Sequence, residues 1–388
     1  MNTIRDRLFE KAVRKKSPIM AAFELLPVCN LSCKMCYVRK SMAEVQAAGG
    51  LLNGKQWLAI AAGARERGLL FPLLTGGEPF LHPDFREIMA GMLDMGLQVS
   101  INSNGTMIDR ETAAWLGKHP PVRINITLYG ASPETYQNLC GSASAFSRVQ
   151  NAVELLKEYH VPVKFNASIT PQNMGDLEAI LAYAKEVGSP VQVATYMFPP
   201  IRRDASLIGQ NERLSPEEAG LARVRVDFLQ NEPDWFLRQA ERFRHFVDPE
   251  TAQPIPVEPP EMRIHCRAGA CSFWVDWQGN LSNCGMYGSA QTSLQGRPFG
   301  EAWRELVEKT EQVRYTPACT TCPNRRLCHP CIAMVYNECG DPNGRPTYLC
   351  EMHKAAARYY QDYAKCLPQM SPGAQSTAQD TEPDGCRL

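Results

Sequence analysis

Three closely spaced cysteines are the strongest chemical signal in this sequence. They lie in the segment Cys29-Asn-Leu-Ser-Cys33-Lys-Met-Cys36, a C-x3-C-x2-C pattern. Three thiolates can hold three irons of a four-iron cluster, which leaves the fourth iron open to a substrate or cofactor. A zinc site or a ferredoxin-like electron carrier is the simpler alternative, but both usually take a fourth protein ligand. The pattern therefore favours a catalytic iron–sulfur site.

A second group of cysteines lies in the C-terminal third of the chain. It runs Cys266, Cys271, Cys284, then Cys319-x2-Cys322-x5-Cys328-x2-Cys331, and finally Cys350. The two C-x2-C pairs alone would favour zinc sites, as in a zinc ribbon. Fifteen cysteines in a chain without a signal-peptide-like apolar run indicate metal binding or redox chemistry more than disulfides.

The elements that must position these cysteines follow an alternating pattern. Six strand-like segments cover 19–26, 70–74, 97–101, 122–128, 161–169 and 190–196, with helical segments between them at 82–95, 109–117, 144–159 and 174–187. Strands that alternate with helices predict an α/β fold with a parallel sheet, here a partial (β/α)6 TIM-like barrel. Chemistry in such folds sits at the C-terminal ends of the strands, and the Cys29 loop directly follows the first strand.

The chain divides into five predicted parts. We expect an amphipathic helix in 1–18, the partial barrel in 19–197, a helical connector and possible lid in 198–263, a small cysteine-rich domain in 264–366, and a disordered tail in 367–388. Within the connector, Ser215, Pro216 and Glu218 form a helix start signal.

Composition excludes several classes of protein. The chain has 41 basic and 41 acidic residues, so no net field favours nucleic acid or an acidic membrane. No run of about 18 apolar residues is present. These features predict a cytoplasmic protein that binds neither nucleic acid nor membrane.

Three further motifs each follow a predicted strand. They are Gly76-Gly77-Glu78-Pro79, Asn104-Gly105-Thr106 and Thr127 within Thr-Leu-Tyr-Gly. Each alone could be a turn or a helix cap. In this order after the cysteine loop, they make residues from about 27 to 196 resemble the radical SAM superfamily.

The resemblance implies a cofactor site. Cys29, Cys33 and Cys36 would bind a [4Fe–4S] cluster. S-adenosylmethionine (SAM) would be bound by the residues of the three motifs, which are Gly76, Gly77, Glu78, Pro79, Asn104 and Thr127. The GGEP motif would receive the SAM amino group, and Thr127 would lie near the ribose. Tyr129 departs from the family pattern, which usually has aspartate there.

The C-terminal cysteines resemble the SPASM extension of radical SAM proteins, which binds two auxiliary [4Fe–4S] clusters. The resemblance assigns four cysteines to the nearer cluster, which are Cys266, Cys271, Cys284 and Cys331. It assigns four to the farther cluster, which are Cys319, Cys322, Cys328 and Cys350. The departure is the two-residue spacing between Cys328 and Cys331, where three is usual. The chain would thus carry three [4Fe–4S] clusters.

The family's chemistry defines an expected function. An electron from a donor such as flavodoxin or ferredoxin would split SAM, and the 5′-deoxyadenosyl radical would abstract hydrogen from a peptide or protein, leading to oxidation, cross-linking or epimerisation. Among the alternatives are a small-molecule radical dehydrogenase, formylglycine formation of the sulfatase-maturase type, and a non-enzymatic iron–sulfur or zinc scaffold. Gly285 stands where sulfatase-maturing relatives carry an aspartate that serves as the catalytic base. The absence of that aspartate argues against formylglycine formation. Fewer than 20 residues precede the first strand, so we expect any leader peptide to bind elsewhere or to a separate protein.

Three residues are candidates for contact with the substrate. Cys140 follows the fourth strand and could donate a hydrogen atom to a substrate radical, although a packed, silent cysteine is the alternative. Tyr37 and Asn102 lie at the expected catalytic mouth, where either could contact substrate or serve in packing.

Overall fold

The computed structural model describes residues 3–248, 250, 266–314, 317–322, 324–328 and 331–367. Its strands are β1 (Met20–Glu24), β2 (Phe71–Thr75), β3 (Ser100–Ser103), β4 (Arg123–Leu128), β5 (Val163–Ser168), β6 (Val191–Ala194), β7 (Ser272–Val275), β8 (Asn280–Cys284) and β9 (Tyr287–Ser293). The first six lie side by side in chain order, and all are parallel. The predicted α/β fold with a parallel, partial-barrel sheet is confirmed.

The helices of the described residues connect these strands and extend beyond them. They are α1 (Ile4–Lys15), α2 (Met42–Ala47), α3 (Gly54–Arg65), α4 (Phe85–Asp94), α5 (Arg110–Lys118), α6 (Pro133–Cys140), α7 (Ser144–Glu158), α8 (Leu177–Val187), α9 (Pro216–Gln230), α10 (Pro233–Val247), α11 (Phe299–Glu311), α12 (Pro317–Thr320), α13 (Arg325–Cys328), α14 (Ile332–Cys339) and α15 (Thr347–Cys366). The sequence patterns did not predict α3 or α6, and α6 turns out to support the cysteine loop.

The sheet does not stop at the barrel. Strand β7 pairs parallel with β1, with Met20 opposite Ser272, and β8 and β9 continue from it antiparallel. One nine-stranded sheet therefore runs from β6 to β9 through the barrel and the cysteine-rich region. The central position of β1 explains its apolar sequence, because a strand paired on both edges and covered on its faces excludes water.

The core beneath the sheet is aromatic near β1. Phe23 and Trp57 are fully buried, and their rings meet edge to face at 5.9 Å. Phe273 of β7 meets the same Phe23 ring at 6.1 Å. Because these rings come from β1, α3 and β7, a single hydrophobic core joins the barrel to the C-terminal strands.

Helices α9 and α10, which follow the barrel, pack on the last helix, α15. Helix α9 begins as the sequence predicts, since the Ser215 hydroxyl accepts a hydrogen bond from the Glu218 backbone and the Glu218 carboxylate reaches back to the cap. Phe236 and Phe243 of α10 pack with Tyr360 of α15 in a small aromatic cluster. The segment predicted as a connector thus packs largely against the last helix.

Two predicted regions fall mainly outside the described residues. These are the end of the connector, from 251, and the tail beyond residue 367, where disorder was expected. Within the described part of the chain, no helix combines the length and apolar character needed to cross a membrane.

Candidate active site

The loop after β1 is held against the loop after β2 by backbone hydrogen bonds. The Gly77 amide donates to the Leu26 carbonyl at 2.7 Å, and the Glu78 amide donates to the Val28 carbonyl at 3.0 Å. These bonds satisfy the polar backbone of two buried loops. They also fix the segment that leads into Cys29.

The glycine pair permits this close approach. A Cβ atom on Gly76 would lie 2.3 Å from the Leu26 carbonyl oxygen, and one on Gly77 would lie 2.1 Å from the Val28 oxygen. Gly76 also has a φ of +148°, which side-chain-bearing residues rarely adopt. The glycines are therefore required first for packing of one loop on another, while their other side lines the cavity described below.

The far end of the cysteine loop rests on helix α6. The Ser32 amide donates to the Cys140 carbonyl at 3.0 Å, and the Lys34 amide donates to the Leu139 carbonyl at 3.0 Å. The last carbonyls of a helix lack intrahelical partners, so they are available to this loop. Anchored at both ends, the loop positions its thiols before any ligand binds.

N–H donors point at two of the three thiols. Cys29 Sγ accepts from the Leu31 amide at 3.4 Å and from Asn104 Nδ2 at 3.5 Å, and Cys36 Sγ accepts from the Arg39 amide at 3.3 Å. Burial raises the pKa of Cys29 to about 12 and also raises that of Cys36. A positively charged cluster offsets this desolvation, because metal ligation deprotonates thiols. Free thiols ringed by N–H donors fit an iron–sulfur cluster.

Cys33 lies in a tighter environment than the other two. A hydrogen bond with Cys140, together with burial, raises the pKa of the Cys33 thiol, while a hydrogen bond from the Tyr129 hydroxyl acts in the opposite direction. Tyr129 is the residue that departs from the family pattern. Its phenol therefore serves a cluster cysteine, and its ring packs edge to face on Tyr136 at 5.6 Å.

Glu78 does not face the cavity. It is fully buried, and its carboxylate accepts from Ser103 Oγ at 2.9 Å and from the Asn104 amide at 2.8 Å. Burial raises the pKa of Glu78 to about 7. Its oxygens are turned toward the loop after β3 in this structure, and contact between Glu78 and the SAM amino group stays a prediction. Pro79 is likewise buried away from the cavity and begins a short 3-10 turn.

The loop after β3 closes the same network. Asn104 Nδ2 also donates to Asn30 Oδ1 at 2.9 Å, and the Thr106 hydroxyl donates to Asn104 Oδ1 at 2.6 Å. Asn30 Nδ2 in turn donates to Thr106 Oγ1 at 2.8 Å. Asn104 is thus fixed between Glu78 and Cys29.

A cavity of about 440 Å³ opens above these loops at the C-terminal ends of the strands. The three cysteines line it, and so do six of the other predicted residues, which are Tyr37, Gly76, Gly77, Asn102, Asn104 and Thr127. Its volume falls within the range of ordinary cofactor and ligand sites. Cys140 is fully buried behind Cys33 and does not line the cavity, so its role as a hydrogen donor stays a prediction.

A buried ion pair that sequence reasoning missed lies beside the cavity mouth. Arg202 donates to both carboxylate oxygens of Glu24 at 2.8 Å, and Trp274 Nε1 donates to Glu24 at 3.0 Å. The Arg202 guanidinium also lies 5.7 Å from the centre of the Tyr37 ring. Burial raises the pKa of Glu24, against the effect of Arg202. The sequence did contain one sign of this ion pair, because Glu24 is an acidic residue inside an otherwise apolar strand.

A second network ties residues 197–214 to the C-terminal region. Arg213 donates to Glu338 at 2.8 Å, and the Tyr196 hydroxyl donates to the same carboxylate at 2.6 Å. The Arg213 guanidinium lies 3.7 Å from the centre of the Tyr348 ring. These contacts fix Tyr196, Met197 and Phe198, which form the outer wall of the cavity.

Some of the cysteines that the SPASM resemblance groups together lie within electrostatic reach of one another, and their role as cluster ligands stays a prediction. Cys284 lies within electrostatic reach of Cys266 and Cys331, and Cys271 within reach of Cys266. Cys328 lies within reach of Cys319, Cys322 and Cys350, and Cys319 lies within reach of Cys339 as well, a cysteine that the resemblance assigns to neither group. All eight thiols are free. Among the described residues, no three such groups converge tightly enough for a single metal ion.

The wall between the cavity and the nearer group is thin. Met286 lines the cavity, only two residues after Cys284. A Cβ on Gly285 would lie 2.6 Å from the Trp274 ring, so the indole fills the space that a side chain at 285 would need. This explains in steric terms why an aspartate is absent there.

Residues 23–184 match the family model described as "Radical SAM superfamily". They cover the barrel from β1 into α8, including the cysteine loop and most of the residues that line the cavity. These residues form a radical SAM domain, and the chain is a radical SAM enzyme, a family that binds a [4Fe–4S] cluster and SAM.

Particular relatives differ in what their names describe. An AdoMet-dependent heme synthase of Methanosarcina barkeri is 26% identical over 343 residues, which cover 84% of this chain and 94% of the relative. A PqqA peptide cyclase of Granulibacter bethesdensis is 28% identical over 57% of this chain and 61% of the relative. The crystal structure of native anSMEcpe with bound AdoMet shares the fold, with a TM-score of 0.66 at 17% identity over 91% of this chain and all of that one.

Proposed function

We propose that this radical SAM enzyme oxidatively modifies a peptide or protein segment presented at the mouth of the barrel. Cys29, Cys33 and Cys36 would hold a [4Fe–4S] cluster, which would supply the one-electron chemistry for the reductive cleavage of SAM. The residues around it hold SAM, exclude water and position the substrate. Two further clusters would be bound by the two C-terminal groups of cysteines.

The character of the cavity wall carries the proposal. Beyond the cysteines, the wall consists of aromatic, aliphatic, amide and hydroxyl groups, and none of its lining residues is acidic or basic. Asn102 of β3 and Ser168 of β5, on either side of β4, carry polar groups that suit a peptide backbone, with the Asn102 oxygen already accepting from Asn125. The nearby Arg202 is occupied by Glu24. Such a wall suits an uncharged segment better than a small acid.

The position of Cys284 favours net oxidation. A substrate radical in the cavity would lie on one side of Met286, and the nearer cysteine group lies on the other. An electron leaving the substrate would therefore cross a short distance. Loss of two hydrogen atoms from the substrate, as in cross-link formation, is the expected product.

The names of relatives support a peptide substrate in part. Besides the PqqA peptide cyclase, a 26% identical relative is the Bacillus subtilis antilisterial bacteriocin subtilosin biosynthesis protein AlbA, matched over 44% of this chain. The matches to these two peptide-related proteins cover a smaller share of this chain than the match to the heme synthase does.

A second candidate is oxidation of a carboxylate-bearing tetrapyrrole. The heme synthase match over 84% of the chain favours it. So does exposed Arg203, which lies close enough to Cys36 to lower the pKa of its thiol and could bind a propionate near the mouth.

The test is product analysis by mass spectrometry. Anaerobically reconstituted enzyme would be given SAM, dithionite and either the peptide encoded by a neighbouring short reading frame or an iron tetrapyrrole with propionate side chains. We expect the peptide to lose two hydrogen atoms in amounts that match 5′-deoxyadenosine formation.

The control is the Cys29→Ala variant, which should leave both substrates unchanged. Decarboxylation of the tetrapyrrole with an unaltered peptide would establish the second candidate and overturn the first.

A further inference from the structure

We infer that a basic surface beside Cys266 docks an acidic one-electron carrier protein. The surface is formed by the end of α1, the turn after α3, the outer face of α11 and the residue after Cys266. Its basic members are Lys15, Lys16, Arg67, Arg267 and Arg304. This inference extends the proposed function. It depends on one part of that function, namely that the cysteine group containing Cys266 binds an iron–sulfur cluster.

The basic residues converge from distant parts of the sequence. Lys15, Lys16, Arg67 and Arg304 line one shallow cavity of about 500 Å³. Lys16 and Arg267 line the adjoining cavity of about 330 Å³, and Cys266 lines it as well. Because Lys16 belongs to both, the two cavities form one continuous surface that reaches the Cys266 thiol.

The exposure of Cys266 distinguishes it from the rest of its group. Cys266 is exposed, whereas Cys271 is fully buried and Cys284 and Cys331 are mostly covered. A cluster held by these four cysteines would therefore have its accessible side at Cys266. Electron transfer between proteins requires close approach, so a carrier must dock at this side.

The surface is rigidly supported. Trp303 is buried, and its indole nitrogen donates to the Lys16 carbonyl at 2.7 Å, which fixes the end of α1 on α11. The Arg267 guanidinium lies 4.0 Å from the centre of the Phe9 ring. A preformed charged surface loses less conformational freedom on binding than a mobile one does.

Acidic residues reduce the positive charge but do not reverse it. Lys16 pairs with Glu311 at 3.1 Å, Glu308 lines the larger cavity, and Asp6 lies near Arg267. Arg67 and Arg304 are exposed, as is Lys15. The chain as a whole carries no net charge, so this local excess would steer an acidic partner to one face.

The electron balance is simple. The reduced carrier gives up one electron and the enzyme gains one, with no bond formed or broken. A flavodoxin hydroquinone becomes the semiquinone in this step. The carrier class is thus defined by an acidic surface and a one-electron couple.

The experiment compares reductants on one readout. Wild-type enzyme and the Lys15→Glu/Arg304→Glu variant would both be fully reconstituted. The rate at which each converts SAM to 5′-deoxyadenosine, without added substrate, would be measured with either an acidic flavodoxin or dithionite as the reductant. Lys118→Glu/Lys185→Glu, which changes two exposed lysines on α5 and α8, is the matched control for net charge. The Kd of the oxidised flavodoxin would be measured on the same proteins.

At low salt, we expect the Lys15→Glu/Arg304→Glu variant to show a flavodoxin-driven rate of SAM cleavage that is lower than that of wild type by about tenfold or more. Its affinity for flavodoxin should fall by a similar factor. Its dithionite-driven rate and iron content should equal those of wild type, and the control should behave as wild type throughout. Equal flavodoxin affinity in both variants would overturn the inference. So would loss of binding to anionic vesicles with an unchanged flavodoxin rate. Because SAM cleavage is read without substrate, an incorrect substrate proposal would leave this result interpretable.

Discussion

The loop of Cys29, Cys33 and Cys36 and the two C-terminal groups of cysteines differ in what holds their thiols. The loop is anchored to the segment after β2 by Gly77 and Glu78 and to α6 through Ser32 and Lys34. Its sulfurs already accept hydrogen bonds from N–H donors. The protein alone fixes this site.

The C-terminal groups draw their cysteines from segments far apart in sequence. Cys284 ends β8, while Cys319 and Cys328 lie in α12 and α13, helices of four residues each. Helices this short are not stable by themselves. We infer that the first site is preformed by the fold, whereas the second region, if it binds the proposed clusters, would depend on them for order.

The largest effect should come from removing a ligand of the preformed site. We expect Cys33→Ala to reduce SAM cleavage to the uncatalysed background, because three thiolates are needed to hold the cluster. The thermal unfolding temperature of the iron-free protein should change little, since the loop is held by its backbone. High-performance liquid chromatography of 5′-deoxyadenosine and calorimetry measure the two.

Cys339→Ser is the control for loss of a thiol outside the Cys29 loop, because the resemblance assigns Cys339 to neither group, although it lies within electrostatic reach of Cys319 and Cys350. It should keep the wild-type rate. A Cys33→Ala protein whose barrel unfolds at a much lower temperature would contradict the preformed loop.

Removal of iron should affect the two regions unequally. We expect chelation to raise hydrogen exchange strongly in residues 317–322 and 331–339, where the cysteines supply much of the order. Amides of β1 to β6 should keep their protection. Exchange followed by mass spectrometry on holo and iron-free protein tests this, and equal loosening in both regions would refute the contrast.

The sequence predicted what depends on local pattern and missed what depends on distant contact. The strands and the cysteine loop follow from periodicity and spacing, and the family resemblance supplied the SAM motifs, four of whose six assigned residues line the cavity (Gly76, Gly77, Asn104 and Thr127). The Glu24–Arg202 pair spans 178 residues, and the Glu24–Trp274 bond spans 250. No local pattern encodes such pairings, nor the parallel pairing of β1 with β7.

The direction of a side chain was also beyond the sequence. Glu78 is expected to meet SAM, and the structure adds that its carboxylate accepts hydrogen bonds from the Ser103 hydroxyl and the Asn104 amide. Cys140 was placed after the correct strand, yet it is buried behind Cys33. Position in an element can be read from a pattern, whereas orientation is decided by tertiary packing.

Glu78 gives a pH-dependent test of the preformed loop. Burial raises its pKa from 4.5 in the reference state to about 7. The native state therefore holds a proton that the unfolded state has released, and the free energy of unfolding falls as pH rises between these values. The expected loss is on the order of 3 kcal/mol and is complete above about pH 7.

The Glu78→Gln variant should lack this pH-dependent part of the free energy of unfolding. Denaturant unfolding of the iron-free wild type and variant at pH 5 and pH 8 measures it, with exposed Glu134→Gln as the control. If wild type and Glu78→Gln have the same pH dependence, Glu78 does not hold its proton in the folded loop.

Two glycine-to-alanine substitutions, Gly77→Ala beside the Cys29 loop and Gly285→Ala beside Cys284, test how each region tolerates one added methyl group. On Gly77 a Cβ would lie 2.1 Å from the Val28 oxygen and 2.5 Å from the Val28 carbonyl carbon, which are backbone atoms. On Gly285 it would lie 2.6 Å from the Trp274 ring, which belongs to a side chain. Overpacking typically costs about 1–3 kcal/mol, and backbone gives way less readily than a side chain.

We therefore expect Gly77→Ala to fall at the upper end of that range and Gly285→Ala at the lower end. Gly77→Ala should also lower iron retention at the Cys29 loop, because relief of the clash moves the segment that leads to that cysteine. Gly285→Ala should displace the Trp274 indole from Glu24 and leave iron at the Cys29 loop unchanged. Thermal unfolding and iron content of each variant measure these effects, and equal iron loss in both would mean that the loop adapts as easily as the C-terminal region does.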